Sequence, residues 1–146
     1  MAKIVNAMFP GSFNPIHKGH LDVIKRASKL FNKLYVVVSI NIYKKQTVSC
    51  KERLLKAKKA VAKLHLKNVK VVGNVGLTVD FAKKHNVSVI VRSIRNDEDA
   101  MYEIDMAKAN NTLNDKIDTI LMLPKQELVN LSSTALRYLK DAKNIK

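Results

Sequence analysis

Apolar and polar positions along this chain change their period several times, and each change marks an element. Ile4 to Phe9 is a short apolar run that reads as a buried strand. From Gly19 the apolar residues Leu21, Ile24, Ala27, Leu30 and Phe31 recur at helical spacing, so the first helix runs to about Phe31. Leu34 to Ile40 is apolar on both faces, the pattern of a parallel strand covered on two sides. Asn41 to Val48 is a polar loop holding Lys44 and Lys45. Ser49, followed three residues later by Glu52, forms a capping box for a helix that turns Leu54, Ala57, Val61 and Leu64 inward. Val69 to Val72 predicts a third strand and Gly73 to Gly76 a turn. Thr78 then caps a short helix through Phe81, Ala82 and His85. Val87 to Val91 predicts the fourth strand, ending at Arg92. A longer helix begins near Asp97, with Asp97, Glu98 and Asp99 at its positive end and an apolar set of Met101, Ile104 and Ala107 or Lys108. Thr119 to Leu123 predicts a fifth strand, stopped by Pro124. A last helix follows Leu131-Ser132-Ser133-Thr134, with Ala135, Leu136 and Leu139.

Strand and helix alternate almost without a break. That order implies right-handed crossovers and an α/β fold. The expectation is a single domain over residues 1–146, Rossmann-like and doubly wound, with a mainly parallel five-stranded sheet and helices on both faces. Ligands of such sheets bind at the carboxyl ends of the strands. Five segments far apart in sequence are therefore expected at one edge. They are the loop after the first strand, Lys44, the turn before Thr78, Arg92 to Arg95, and the Ser132 segment.

Charge narrows the ligand. Lys and Arg total 27 against 12 Asp and Glu, a net charge of +15, which favours anionic partners. An AT-rich genome also yields such a lysine excess, and the lysines are dispersed along the chain. The arginines are more informative. There are only five, Arg26, Arg53, Arg92, Arg95 and Arg137. In a lysine-rich chain each marks a place where a planar, forked donor is wanted. No helix-turn-helix, zinc-finger or RNP signature accompanies the charge, so no nucleic-acid partner is expected. The lone Cys50 leaves no disulfide framework and no multi-cysteine zinc site, which fits a cytoplasmic setting. No signal peptide and no membrane span are expected, because the apolar runs are too short.

The loop after the first strand carries the chemistry. Met8-Phe9-Pro10-Gly11-Ser12-Phe13-Asn14-Pro15 leads into His17-Lys18-Gly19-His20, which opens a helix. Gly11 lets backbone approach a ligand, free N–H groups at the helix start favour an anion, and histidine donates hydrogen bonds to phosphate oxygens. Ser12 adds a hydroxyl at the same place. Neither G-x-x-x-x-G-K-[ST] nor G-x-G-x-x-G is present. His17 and His20 lack a third ligand at a recognisable spacing, so no bound zinc is expected.

Phe9 to His20 resembles the (T/H)-x-G-H motif of the nucleotidyltransferase superfamily. From about Ile4 to Lys143 the chain resembles the phosphopantetheine adenylyltransferase family within it. The matching residues are Lys44-Lys45, Glu52-Arg53, Gly76-Leu77 before Asp80-Phe81, Arg92-Ser93-Ile94-Arg95, Tyr102-Glu103, and Leu131-Ser132-Ser133-Thr134 with Arg137. The resemblance implies transfer of the adenylyl group of ATP to 4′-phosphopantetheine, giving dephospho-coenzyme A and pyrophosphate. The acceptor phosphate attacks in line, without a covalent enzyme intermediate.

The resemblance also implies roles. His20, Lys44 and Arg95 are the catalytic set. Ser12, Phe13, His20, Ser93, Ile94, Arg95, Glu103 and the segment Leu128, Val129, Asn130, Leu131, Ser132, Ser133 and Thr134 bind ATP. Ser12, Lys44, Thr78 and Arg92 bind the acceptor. Thr78 stands where the family usually has a larger apolar residue. Mg²⁺ is expected to arrive with ATP, with no dedicated protein ligands, and a homo-oligomer is expected, a hexamer by resemblance. Related cytidylyltransferases carry Arg-Thr-Glu-Gly-Ile-Ser near the end, where this chain has Leu128 to Thr134 instead.

Overall fold

The computed structural model of the chain describes residues 3–40, 49–125 and 132–144. Lys44, Leu128, Val129, Asn130 and Leu131 lie outside the described residues. Five strands and five helices alternate: β1 (Asn6–Gly11), α1 (Lys18–Ser28), β2 (Lys33–Ile40), α2 (Cys50–Ala62), β3 (Val69–Val75), α3 (Thr78–Lys84), β4 (Val89–Ser93), α4 (Asp97–Leu113), β5 (Asp118–Met122) and α5 (Ser133–Asn144). The strand order is β3-β2-β1-β4-β5, and every pairing is parallel. The doubly wound sheet expected from the alternation is thus found.

The period of two in the strands divides the core into two layers. Ala7, Phe9, Leu34, Val36, Val38 and Val91 pack with Val23, Ile24 and Ala27 of α1 and with Ala57 and Val61 of α2. Met8, Tyr35, Val37 and Ile90 point the other way, toward Val79, Phe81 and Ala82 of α3. Arg92 has the parity of Ile90, so it emerges on the α3–α4 side. The strand order reverses its winding between β1 and β4, the topological switch point where ligands of open α/β sheets bind.

Three local expectations are corrected. The third strand continues to Val75 rather than turning at Gly73, because β2 offers it partners as far as Ile40; the turn falls at Gly76, whose φ of 116° suits glycine. Thr78 is the first helical residue of α3 rather than its cap, and the cap position, Leu77, makes no side-chain bond. In α4 the first two members of the predicted apolar set, Met101 and Ile104, face outward, while Ala107 lines the cavity at the sheet edge. Met101 is 71 % exposed and Ile104 45 %, while Glu103 is buried. Apolar residues are spread around α4, so an ionic contact rather than periodicity decides which side faces the sheet.

Candidate active site

The first loop is built around two histidines. His17 is the N-cap of α1, its Nδ1 accepting the Gly19 N–H at 3.1 Å, while the His17 N–H donates to Nδ1 of His20, also at 3.1 Å. The two imidazoles thus form a reciprocal capping box, and their rings stack at 3.7 Å. Gly19 is needed here, since a Cβ on it would lie 2.9 Å from the His17 ring. Phe13 is buried at a φ of 47°, with its ring edge-on to His20 at 4.9 Å and to Phe9 at 5.4 Å. The Asn14–Pro15 peptide is cis.

This arrangement sets the state of His20. An Nδ1 that accepts a hydrogen bond carries no proton, so the neutral ring bears it on Nε2. Burial lowers the His20 pKa to about 4, helped by the charges of His17, Arg92 and Arg95. His20 therefore presents a neutral Nε2–H donor.

Arg92 is held on three sides. Its Nε and Nη2 donate to the two carboxylate oxygens of Glu103 at 2.8 and 2.7 Å, and Nη1 donates to the Pro10 carbonyl. Three of a guanidinium's donors are used, and about two remain for a ligand. The pair crosses from β4 to α4, which explains why a glutamate, 5 % exposed, takes the inward position on that helix. Arg95 donates from both its backbone N–H and Nε to Asp99, each at 3.1 Å. These bonds, the backbone one foremost, hold the Asp99 carboxyl below its usual range.

A cavity of about 270 Å³ opens at the carboxyl edge of the sheet. Ser12, Thr78, Arg92 and Glu103 line it together with Gly11, Ser39, Tyr102, Met106 and Asn110. Four of the residues singled out from the sequence thus meet at one wall. His20 and Phe13 lie on the α1 side of the same edge. Ser93, Ile94 and Arg95 follow at the end of β4, where the Ile94 N–H pairs with Met122. Ser132 caps α5, its Oγ accepting the Ala135 N–H at 3.1 Å. Ser133 and Thr134 open that helix, which buries no residue.

The sequence reading assigned no role to three features. Arg53 is buried and donates to the carbonyls of Ser12 and Ser39. Arg26 donates to the Leu123 carbonyl, and Asp22 accepts the Lys125 N–H, so α1 grips the exit of β5. Tyr102, Met106 and Asn110 extend the cavity along α4. Rarity of arginine was the available signal for the first two; of the third, Tyr102 stands in the Tyr102-Glu103 pair that carries the resemblance, and nothing in the sequence marks Met106 or Asn110. Among the described residues no group of three or more His, Cys, Asp or Glu side chains gathers as a metal site. No helix among them is long and apolar enough to cross a membrane.

The family described as cytidylyltransferase-like matches residues 8–139. A phosphopantetheine adenylyltransferase of Clostridium botulinum (strain Alaska E43 / Type E3) is 40% identical over 131 residues, covering 90% of this chain and 81% of the relative. One from Limosilactobacillus reuteri (strain DSM 20016) is 42% identical over 136 residues, covering 93% and 78%. Among solved structures, a lipopolysaccharide core biosynthesis protein from Thermoplasma volcanium shares the fold, with a TM-score of 0.55 and 20% identity over 86% of this chain and 99% of that one.

Proposed function

This chain belongs to the cytidylyltransferase-like family and, within it, to the phosphopantetheine adenylyltransferases, and from that premise we propose how it moves the adenylyl group of ATP onto 4′-phosphopantetheine. It is a nucleotidyltransferase. The observation that carries the mechanism is the neutral Nε2–H of His20 beside the guanidinium groups of Arg92 and Arg95, at the switch point of the sheet.

The acceptor phosphate is already an anionic nucleophile, so the reaction needs no general base. It needs two anions brought together in line and the growing charge stabilised. His20 donates to the α-phosphate. Being neutral, it keeps its Nε2–H available as a donor without taking part in proton transfer. Arg95, with Ser12, Phe13, Ser93, Ile94, Glu103 and the segment Leu128 to Thr134, receives ATP. Glu103 acts there largely through Arg92, which it orients. Arg92 turns its remaining donors to the acceptor phosphate, with Lys44 and Ser12 beside it. The pantetheine arm runs past Thr78 into the cavity. A threonine in place of a larger apolar residue leaves room there and adds a hydroxyl.

Mg²⁺ commonly keeps water and phosphate ligands with one or two carboxylates at most. The carboxylates at this edge, Glu103 and Asp99, are taken up by Arg92 and Arg95, which suits a metal brought in on the triphosphate, where it would neutralise charge on the leaving pyrophosphate. We place the reaction in the cytoplasm, in a homo-oligomer of hexameric form. The partly exposed apolar side chains of α4 and α5, among them Met101, Ile104, Leu113, Leu136 and Leu139, are surfaces a second copy would cover.

Pyrophosphate release from ATP with phosphopantetheine tests the reading. Nicotinamide mononucleotide with ATP, and glycerol 3-phosphate with CTP, are the competing pairs. Turnover with phosphopantetheine alone is expected; turnover only with a competing pair would refute it.

A further inference from the structure

Arg53 is the buried cation that the proposed reaction leaves unused. It lies in the first turns of α2 and is 2 % exposed. A guanidinium taken out of water is normally fully bonded or ion-paired. Among the described residues Arg53 joins no ion pair. Its Nη1 donates to the Ser12 carbonyl at 2.6 Å and to the Ser39 carbonyl at 3.2 Å, and its Nε is buried with no partner among the described residues. Ser12 and Ser39 both line the active-site cavity; Arg53 stands behind them.

The Ser12 carbonyl is not an incidental partner. It belongs to the peptide that enters Phe13, whose φ of 47° is disfavoured for a residue with a Cβ. A trans peptide holds its C=O and N–H on opposite sides. Gripping the Ser12 oxygen therefore also fixes the direction of the Phe13 N–H. The same Nη1 ties this loop, at the end of β1, to the end of β2.

We propose that Arg53 is a positioning residue for the transfer. By bridging the Ser12 and Ser39 carbonyls it locks the Ser12–Phe13 peptide in its strained form and sets the spacing between the nucleotide loop and the acceptor wall. Arg53 touches neither substrate. The kinetic consequence rests on the reaction proposed above; the locking itself does not.

The test pairs Arg53→Met, which keeps much of the volume and removes the donors, with Arg53→Lys, which keeps a charged donor. Amide hydrogen exchange over residues 11–16 is measured in the substrate-free proteins, and kcat and both KM values by pyrophosphate release. Arg53→Met is expected to fold, to exchange at least about 10-fold faster in this segment, and to lose about 100-fold in kcat, the scale of a 1 Å misplacement. Its KM values should change much less, and Arg53→Lys should recover about 10-fold of the loss. A folded Arg53→Met protein with wild-type kcat, or with unchanged exchange at residues 11–16, overturns the proposal, even if its Tm is lowered. Should Arg53→Met not fold, Arg53→Lys decides: a kcat reduced about 10-fold with faster exchange supports the lock, and wild-type values of either overturn it. If the unmodified protein releases no pyrophosphate with phosphopantetheine, the proposed reaction fails, and exchange alone then decides the role of Arg53.

Discussion

Acidification is the sharpest probe of the active site, because it asks whether His20 stays neutral. Its pKa is lowered to about 4, chiefly by burial and then by the charges of His17, Arg92 and Arg95. At pH 5.5 a group with that value is about 3 % protonated, whereas an ordinary histidine near 6.5 is about 90 % protonated. Turnover is a poor readout, since a phosphate monoester itself gains a proton near pH 6. Titration of the His20 ring by NMR on substrate-free protein reads the state directly. The ring signals should stay unchanged to about pH 5, and the nitrogen shifts should report a protonated Nε2 and a bare Nδ1, as the 3.1 Å bond from the His17 N–H requires. A midpoint at or above 6, or the opposite tautomer, would refute the reasoning. Stability carries the same signature. The unfolded chain takes up the proton first as pH falls, so the stabilisation is complete above about 6.5 and is lost progressively toward pH 4. His20→Gln, which cannot titrate, should flatten the stability curve across that window in urea denaturation.

Three further outcomes follow from the geometry. Glu103→Gln removes the charge facing the Arg92 fork, and should cost about 3 kcal/mol in urea denaturation, the low end for a broken buried pair, with kcat/KM for phosphopantetheine falling about 10- to 100-fold as Arg92 loses its orientation. Ser49→Ala deletes the cap that accepts the Glu52 N–H at 3.2 Å, and should lower stability by about 1 kcal/mol without changing KM. Gly19→Ala places a methyl against the His17 ring, 2.9 Å away; it should displace the stacked pair and lower kcat at least about 10-fold, with the loss visible as changed His17 and His20 ring signals.

The active site was partly legible because its polar residues sit next to strands that periodicity reveals. Ser12, Arg92 and Thr78 each follow or end a strand, or open a helix just after one, so the carboxyl-edge rule gathers them from spacing alone. The inward face of α4 was not legible. Met101 and Ile104 carry the apolar signal, yet Glu103 turns inward because Arg92 of β4 is there to meet it. That contact joins residues on different elements, and no local pattern encodes it. The arginines show the same limit. Their scarcity marked them as special, but not that Arg26, Arg53 and Arg92 each reach a backbone carbonyl distant in sequence, at Leu123, Ser12 with Ser39, and Pro10.

By itself the sequence determined the alternation of strands and helices, the parallel sheet it implies, and the place of the Gly11 to His20 loop between the first strand and the first helix. All three depend on spacing along a few neighbouring residues, where sterics and burial act locally. Only the tertiary structure decided which side of α4 faces the sheet, which carbonyls the arginines hold, and that His20 is a neutral donor. Each of those depends on desolvation and on charges contributed by other elements, which act only once the chain has brought them together.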